Sequence, residues 1–389
     1  MRLTFVMGTD LRTGRGSEKT TMYILKYRPV DVQVTVVETD FYDKIRLSED
    51  FVREFTNGCK IIKIHRAPYF SKNIFQRVLE DLVIRPELKE VKRLQDTDRL
   101  MEIRDTDVVY LVDNRFASLF SGLNLPVIAS NQGDDFTVFI TDRSIIVKTY
   151  YRLIYRLYYK NVNGLHVFPR NSQLLDKIDS KYRIRHKMSL ASGTDCAVFF
   201  PDCSVHNKKI KFLFVAALNP EKGLDILLPL INRIQGDVAE FHIAGSGPLE
   251  DEIRNNSKII YHGTLKEDDL AKLYRECDVF IYPTHADTFG LVIVEALASG
   301  LYVLTSEYLR GVFDDFEGKY LEYLPLYQDS FYSRITQIIN DRNIIEHDKM
   351  EEYGLVKSRY DWSVIANEFY NYMRKFSAKN EIGSAGRIE

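Results

Sequence analysis

The chain has 389 residues, of which 45% are hydrophobic and 28% are charged, a composition and length typical of a globular α/β protein of two domains. It carries 53 Lys and Arg against 55 Asp and Glu, a formal net charge of −2, which argues against a nucleic-acid partner. The four cysteines are scattered without CxxC spacing, which argues against a zinc site or a disulfide framework and fits a reducing cytosol. We expect neither a signal peptide nor a membrane span, because no apolar run approaches about 18 residues.

The charge is spread unevenly along the chain. Residues 1–190 carry 32 Lys and Arg against 24 Asp and Glu, roughly +8, whereas the remainder is roughly −10. A basic first half indicates an anionic partner or a membrane surface.

Strand-like and helical runs alternate throughout, which predicts parallel βαβ architecture in both halves. The strands predicted in the first half are Leu3 to Met7, Val32 to Glu38, Ile61 to Ile64, Val108 to Val112, Val127 to Ser130 and Leu165 to Phe168. Amphipathic stretches lie between them, notably Asn73 to Leu82 and Ile145 to Tyr159.

A turn-rich segment near residue 190, SLASGTDCAVFFPDCS, predicts the domain boundary. Beyond it the predicted strands are Phe212 to Ala217, Glu240 to Ala244, Ile259 to Tyr261, Val279 to Tyr282 and Tyr302 to Thr305. We therefore predict one domain over 1–190 and a second over 191–361. A helix over 362–377 and a disordered polar tail over 378–389 complete the prediction.

Glu295 is the one charged residue in an apolar helical stretch, GLVIVEALA, over Gly290 to Ala298. No cation lies three or four positions away to pair with it. Burying an unpaired carboxylate costs several kcal/mol, so the sequence predicts a partner outside the helix, such as the hydroxyls of a ligand. The alternative is that Glu295 lies at the helix rim and meets water.

A strand, loop and helix lead into that stretch. The strand DVFIYP ends at Pro283 and the loop THADTFG follows, with Thr288 as a predicted helix cap. Free backbone N–H groups and the helix dipole would form an anion site at Thr288 to Gly290, with Asp287 at its lip.

Three further features follow strands of the second half, where open α/β sheets bind ligands. Lys222, in NPEKG, could reach a diphosphate, and Gly245-Ser246-Gly247 forms a tight turn. Gly263-Thr264-Leu265 follows the third strand. Any one of these features could be an ordinary turn, but together with the Thr288 to Gly290 loop they place four such corners along one edge of the sheet, which favours a ligand site.

The stretch from Phe212 to Gly300 resembles the donor-binding domain of glycosyltransferase family 4, through NPEKG, AGSGPLEDEI, HGTLKEDDLAKLY and CDVFIYPTHADTFGLVIVEALASG. SGTDCAVFFP, YDWSVIANEFY and the glycine-rich GRGSEKTT also match it. The resemblance implies the GT-B fold, in which two Rossmann-like domains with parallel sheets and helices on both faces meet at a cleft.

The resemblance also implies roles for individual residues. Glu295 would bind the ribose hydroxyls of a nucleotide-sugar, and Lys222 would neutralise the leaving diphosphate. Leu265 and Leu270 would line the base. Further donor contacts are expected from Thr288, Phe289, Gly290, Gly16, Ser17, Gly245, Gly247 and His285.

The sequence departs from the family pattern at three positions. The first of two glutamates eight residues apart is Asp287, an arginine before the lysine is Ala217, and the expected histidine is Asn131. Asn131 can bind a sugar hydroxyl but cannot carry a proton near neutral pH. Arg12 or Arg15 could replace the missing arginine.

Several other signals favour simpler explanations. The triplets Asp96 to Asp98 and Asp105 to Asp107 imitate a metal motif but are expected to serve as caps or solvated side chains. Asp134 and Asp135 are candidates for acceptor contact. The basic, tyrosine-rich segment Ser144 to Lys160 is expected to pack on the core, with a membrane-surface helix as the alternative.

We therefore predict a metal-independent glycosyltransferase of the hexosyltransferase kind, retaining by resemblance, that needs no cofactor beyond its nucleotide diphosphate-sugar. UDP-, GDP- and ADP-sugars remain open as donors, and a glycan, lipid-linked or small molecule as acceptor. Its expected location is cytoplasmic, with possible peripheral contact at the inner face of the membrane. The alternatives are a silent nucleotide-sugar binding protein and an epimerase on the same fold. A nicotinamide dehydrogenase is disfavoured because Gly245-Ser246-Gly247 lacks the third glycine.

Overall fold

The computed structural model describes residues 1–14, 16–39, 45, 47–64, 98–120, 123, 125–131, 149, 159, 162–169 and 186–384. Contacts divide the chain into two compact units, 1–190 with 365–389, and 191–364. Both are built on parallel sheets with α-helices in the connections, so the predicted fold class of two Rossmann-like α/β units is confirmed.

The first unit contains a parallel sheet in the order β3-β2-β1-β4-β5-β6-β7. Its strands are β1 (Arg2–Val6), β2 (Gln33–Thr39), β3 (Lys60–Ile64), β4 (Val108–Leu111), β5 (Val127–Asn131), β6 (Gly164–Val167) and β7 (His186–Ser189). Its described helices are α1 (Gly16–Lys26), α2 (Glu49–Thr56) and α3 (Asp98–Arg104). The central strands β1 and β4 bury nearly every side chain, as expected for a parallel sheet covered on both faces.

The second unit contains a parallel sheet in the order β10-β9-β8-β11-β12-β13. Its strands are β8 (Ile210–Val215), β9 (Ala239–Ala244), β10 (Ile259–Gly263), β11 (Val279–Tyr282), β12 (Tyr302–Ser306) and β13 (Leu321–Leu324). Its helices are α4 (Leu224–Arg233), α5 (Glu250–Arg254), α6 (Glu267–Glu276), α7 (Leu291–Ala298), α8 (Gln328–Asn340) and α9 (Lys349–Tyr360). The strand order reverses between β8 and β11, which is where such sheets bind ligands.

The last helix, α10 (Trp362–Ser384), belongs to the first unit from Ile365 onward. There it packs on the first sheet: Phe369 stacks on Phe5 and the hydroxyl of Tyr370 donates to the carbonyl of Ile24 at 3.0 Å. Residues 378–384, predicted as part of a disordered tail, are helical instead. Ala378, Lys379 and Glu381 are good helix formers, and the helix continues through them to Ser384. Residues 385–389 lie outside the described part.

Each predicted strand is present, with ends shifted by at most two residues. Two described strands were not predicted: β7, an edge strand of the first sheet, and β13, an edge strand of the second. Each has only four residues and depends on its neighbour, as in the pairing of Val303 with Leu321, so neither carries a long apolar run. The predicted helical stretches Asn73 to Leu82 and Ser144 to Lys160 fall almost entirely outside the described residues.

Candidate functional site

The loops that follow β8, β9, β10 and β11 lie side by side at one edge of the second sheet. Val215, the last residue of β8, pairs with Ala244, the last residue of β9, so the loops after these two strands start at the same level of the sheet. Backbone bonds then join the loops, from Gly245 N to the carbonyl of Gly263 at 2.8 Å and from His285 N to the carbonyl of Glu221 at 2.9 Å. The structure thus brings together the four corners predicted from the sequence.

Glycine is required at two of these corners. Gly223 has φ +93°, and a Cβ there would lie 2.0 Å from the carbonyl oxygen of Pro283. Gly245 has φ +138°, and its Cβ would lie 1.9 Å from the carbonyl oxygen of Ala216. Both obstacles are backbone atoms, so the loops approach this closely only without side chains. Gly247 is similarly close to the backbone of Leu218.

Glu295 is buried in the second turn of α7, with 5% of its surface exposed. The hydroxyl of Tyr274, from α6, lies 3.4 Å from its Oε2 and 3.2 Å from the carbonyl of Val292. Burial and the neighbouring Glu295 carboxylate raise the pKa of Tyr274 well above its ordinary value, so that this hydroxyl keeps its proton and donates. The alternative that Glu295 lies at the helix rim in water is wrong.

Lys222 and Asp287 form an ion pair in front of α7. The Nζ of Lys222 lies 3.2 Å from Asp287 Oδ2 and donates to the carbonyl of Ala286 at 2.9 Å. Lys222 ends a short 3-10 turn, and its own backbone amide donates to the side-chain oxygen of Asn219 at 3.0 Å. Both members of the pair stay about one-fifth exposed, so the ammonium remains within reach of an incoming anion.

The hydroxyl of Tyr282, the last residue of β11, donates to Asp287 Oδ2 at 2.5 Å. Burial, followed by the charge of Asp287, raises the pKa of Tyr282 well above its ordinary value. Tyr282 was not predicted as a site residue, because a tyrosine at the end of an apolar strand has the same pattern as a core residue. Its position before Pro283, at the ligand edge, is the signal that could have identified it.

The predicted cap at Thr288 is wrong. Gly290, with φ +87°, precedes α7 and no side chain caps the helix there. Instead Asp287 Oδ1 accepts from the amides of Phe289 at 3.3 Å and Gly290 at 3.2 Å, because a short Asp side chain readily folds back onto the amides that follow it. The amides predicted to be free for an anion therefore bind the chain's own carboxylate in this structure.

The other predicted residues of the second unit differ in how far they are exposed. His285 is exposed and its Nε2 lies 2.9 Å from Asp225 Oδ2. Leu265 follows β10 and Leu270 lies in the first turns of α6, both half-buried.

In the first unit, Gly16 and Ser17 begin α1, and the Ser17 hydroxyl donates to Glu18 Oε2 at 3.1 Å. Arg12 is already paired, with Nη2 2.7 Å from Asp10 Oδ2 and Nη1 2.8 Å from Glu49 Oε1. Asp105 and Asp107 form ion pairs with Arg2, where the sequence predicted caps or solvated side chains.

The remaining predicted residues of the first unit lie wholly or partly outside the described part of the chain. The backbone of Asn131 ends β5, and its side chain is outside the described part, as are Arg15, Asp134 and Asp135. Within the described ranges, no three His, Cys, Asp or Glu side chains are grouped to hold a metal ion. No helix in that same part of the chain is both long and apolar enough to span a membrane.

Comparison with known proteins identifies the class to which the second unit is similar. Residues 200–356 match the family described as "Glycosyl transferases group 1", a segment that contains Lys222, Asp287 and Glu295. An uncharacterized glycosyltransferase of Methanocaldococcus jannaschii is 28% identical over 177 residues, 43% of this chain and 45% of that protein. The chain thus spans less than half the length of this relative. The predicted resemblance is confirmed at the level of group 1 glycosyltransferases.

Solved structures show the fold over nearly the whole chain. A sucrose-phosphate synthase from Thermosynechococcus elongatus has a TM-score of 0.76 at 13% identity, over 97% of this chain and 100% of that chain. Anabaena HepE in complex with UDP and glucose has a TM-score of 0.71 at 14% identity, over 96% and 100%. At these identities the likeness shows the fold alone, which is the GT-B fold.

Proposed function

We propose that the protein transfers a sugar from a nucleotide diphosphate-sugar to an acceptor. One observation carries the proposal, the buried carboxylate of Glu295 in an apolar helix behind the Lys222–Asp287 ion pair. An acid group at that depth suits a ligand with paired hydroxyls, and an ammonium in front of it suits a diphosphate. The UDP complex of Anabaena HepE supports UDP-sugars among the donors, beside GDP- and ADP-sugars.

In this proposal each side chain of the second unit has a chemical role. Glu295 accepts hydrogen bonds from the ribose hydroxyls. Lys222 neutralises the charge that develops on the diphosphate as the sugar bond breaks. Asp287 keeps its bonds to the amides of Phe289 and Gly290 and contacts the sugar beside Lys222. The donor is further contacted by Thr288, His285, Gly245, Gly247, Leu265 and Leu270.

The first unit is proposed to bind the acceptor. Gly16 and Ser17 would approach the diphosphate, and Asn131 would bind a sugar hydroxyl. Arg12, Arg15, Asp134 and Asp135 are the proposed acceptor contacts. The basic charge of residues 1–190 suits a lipid-linked acceptor and a cytoplasmic protein that contacts the inner face of the membrane.

The proposed transfer moves a hexosyl group with retention and without metal. Lys222 supplies the positive charge that a metal cation would otherwise bring to the diphosphate. Retention follows from the resemblance to family 4.

A panel of UDP-, GDP- and ADP-sugars tests the proposal. One of them should raise the melting temperature, since a ligand at a hundred times its Kd adds about 2.7 kcal/mol. The same donor should then be hydrolysed slowly without acceptor, at a rate that EDTA leaves unchanged. The proposal fails if no nucleotide-sugar shifts the transition, and its metal-free form fails if EDTA stops turnover.

A silent nucleotide-sugar binding protein is the second candidate. Ala217 is exposed at the corner after β8, where the resemblance implies an arginine, so Lys222 carries more of the diphosphate charge. Such a protein would shift its melting temperature with the donor but release no free sugar with any acceptor.

A further inference from the structure

Asp287 is held by donors from three different elements. Its Oδ2 accepts from Tyr282 of β11 at 2.5 Å and from Lys222 at 3.2 Å. Its Oδ1 accepts from the amides of Phe289 and Gly290. The carboxylate thereby joins the end of a strand, the corner after β8 and the start of α7, and its orientation depends on all three.

Tyr282 differs from Lys222, the other side-chain donor, because its ring is packed in the core. Its side chain is 1% exposed, and its ring stacks on Phe280 at 6.1 Å and lies 6.2 Å from Phe214. The Lys222 stem, by contrast, has four rotatable bonds and one-fifth of its surface exposed. The phenol is therefore the fixed reference against which the carboxylate is oriented.

The short side chain of Asp287 explains why the bond from Tyr282 matters. Aspartate is one methylene shorter than the glutamate that the family resemblance implies at position 287. A shorter carboxylate has fewer rotamers and reaches less far, so a rigid donor beneath it can hold it in one orientation. The buried hydroxyl of Tyr282 and the partly exposed ammonium of Lys222 donate to the same oxygen of Asp287.

We propose that Tyr282 is the positioning residue of the transfer site, which orients Asp287 between Lys222 and the first amides of α7. The inference rests on the proposed function for its catalytic consequence, because Asp287 is the group next to the diphosphate and sugar. It predicts that loss of the Tyr282 hydroxyl leaves nucleotide binding by Glu295 intact and slows turnover.

The first test needs no ligand and measures amide hydrogen exchange. In Tyr282→Phe, the peptide that carries the amides of Phe289 and Gly290 should exchange about tenfold faster, since a hydrogen bond to a charged group contributes about that factor or more. The matched control is Tyr302→Phe, which removes the hydroxyl of another buried tyrosine that donates to Glu322. That control should leave the 289–290 peptide unchanged.

The second test separates affinity from turnover. With UDP and UDP-glucose as probes, Tyr282→Phe should lower kcat for donor hydrolysis about tenfold and leave the Kd of UDP within twofold. A purely structural role would instead change both quantities, or would speed exchange throughout the sheet, including the β12 peptide.

The inference is overturned if the 289–290 amides exchange at the original rate in Tyr282→Phe, or if Tyr302→Phe speeds them equally. It is also overturned if kcat is unchanged while UDP-glucose is turned over. Should the unaltered protein bind no UDP, the UDP form of the proposed function fails by itself, and the exchange measurement still decides the role of Tyr282.

Discussion

Glu295 and Asp287 show how two carboxylates eight residues apart can have opposite surroundings. Glu295 is held within an apolar helix and meets a tyrosine hydroxyl, whereas Asp287 lies at the surface side of a loop beside an ammonium. The first suits a neutral hydroxyl-bearing group and the second suits the charged end of a ligand. Despite these different surroundings, each carboxylate accepts from a buried tyrosine hydroxyl, Glu295 from Tyr274 and Asp287 from Tyr282.

Another buried acid, Glu352 in α9, is paired with a histidine. Its side chain is fully buried, and Oε2 lies 2.8 Å from Nε2 of His347. Nδ1 of the same ring donates to the carbonyl of Ile345 at 2.8 Å. Burial raises the pKa of Glu352 to about 7, although His347 acts to lower it. For His347, burial is the largest single effect and lowers the pKa, but the hydrogen bonds to Glu352 and Ile345 and the charge of Glu352 together exceed it, so the pKa of His347 is raised.

Both raised pKa values imply that the folded protein holds a proton that the unfolded chain releases. For Glu352 this stabilisation is complete below pH 4.5 and is lost as the pH rises through about 7. Glu352→Gln keeps a hydrogen bond and cannot titrate, so its stability relative to the unaltered protein should rise by roughly 1 to 3 kcal/mol between pH 5 and pH 8. Chemical denaturation at several pH values measures this, and a relative stability that falls with pH would contradict the assignment.

At the scale of elements, the corners of the second sheet are set by backbone contacts that only glycine permits. Gly223→Ala places a Cβ 2.0 Å from the carbonyl oxygen of Pro283 at φ +93°. Gly263→Ala is the matched control, because Gly263 has φ +68° and nothing lies within 4 Å of its Cβ position.

We expect Gly263→Ala to cost only the backbone term of about 1 to 2 kcal/mol. Gly223→Ala should cost clearly more, because two backbone segments must also separate, and should lower the melting temperature further than the control. Equal melting temperatures for the two variants would show that the β8 and β11 loops move apart at little cost.

Elements with strong periodicity were predictable, and elements defined by their neighbours were not. The run FLFV within β8 is buried on both faces, a pattern that indicates a central parallel strand by itself. In β13, the alternation of LEYL spans four residues, and only its pairing with β12 identifies it. The start of α7 was misassigned for a related reason: Thr288 has the right chemistry for a cap, but Asp287 already accepts from the two following amides.

For the whole molecule, the order of strands and helices predicted two Rossmann-like units because parallel βαβ connections allow few alternatives. The candidate site of the second unit followed from the rule that ligands bind beyond the carboxyl ends of parallel strands. Tyr282 did not follow, because its role depends on the distance between a strand end and a loop, which no sequence spacing states. The same limit applies to Arg12, whose pairing with Asp10 and Glu49 depends on where the loop after β1 folds.

The central claim is that Glu295 binds the ribose of a nucleoside diphosphate, and a binding cycle by isothermal titration tests it most directly. The nucleoside diphosphate selected by the panel and its 2′-deoxy analogue are titrated into the unaltered protein and into Glu295→Gln, with Glu322→Gln as the control. Each single change should weaken binding by about tenfold or more, and the two together should weaken it little further, because both remove the same hydrogen bond. Additive losses, or an unchanged Kd in Glu295→Gln, would contradict the account.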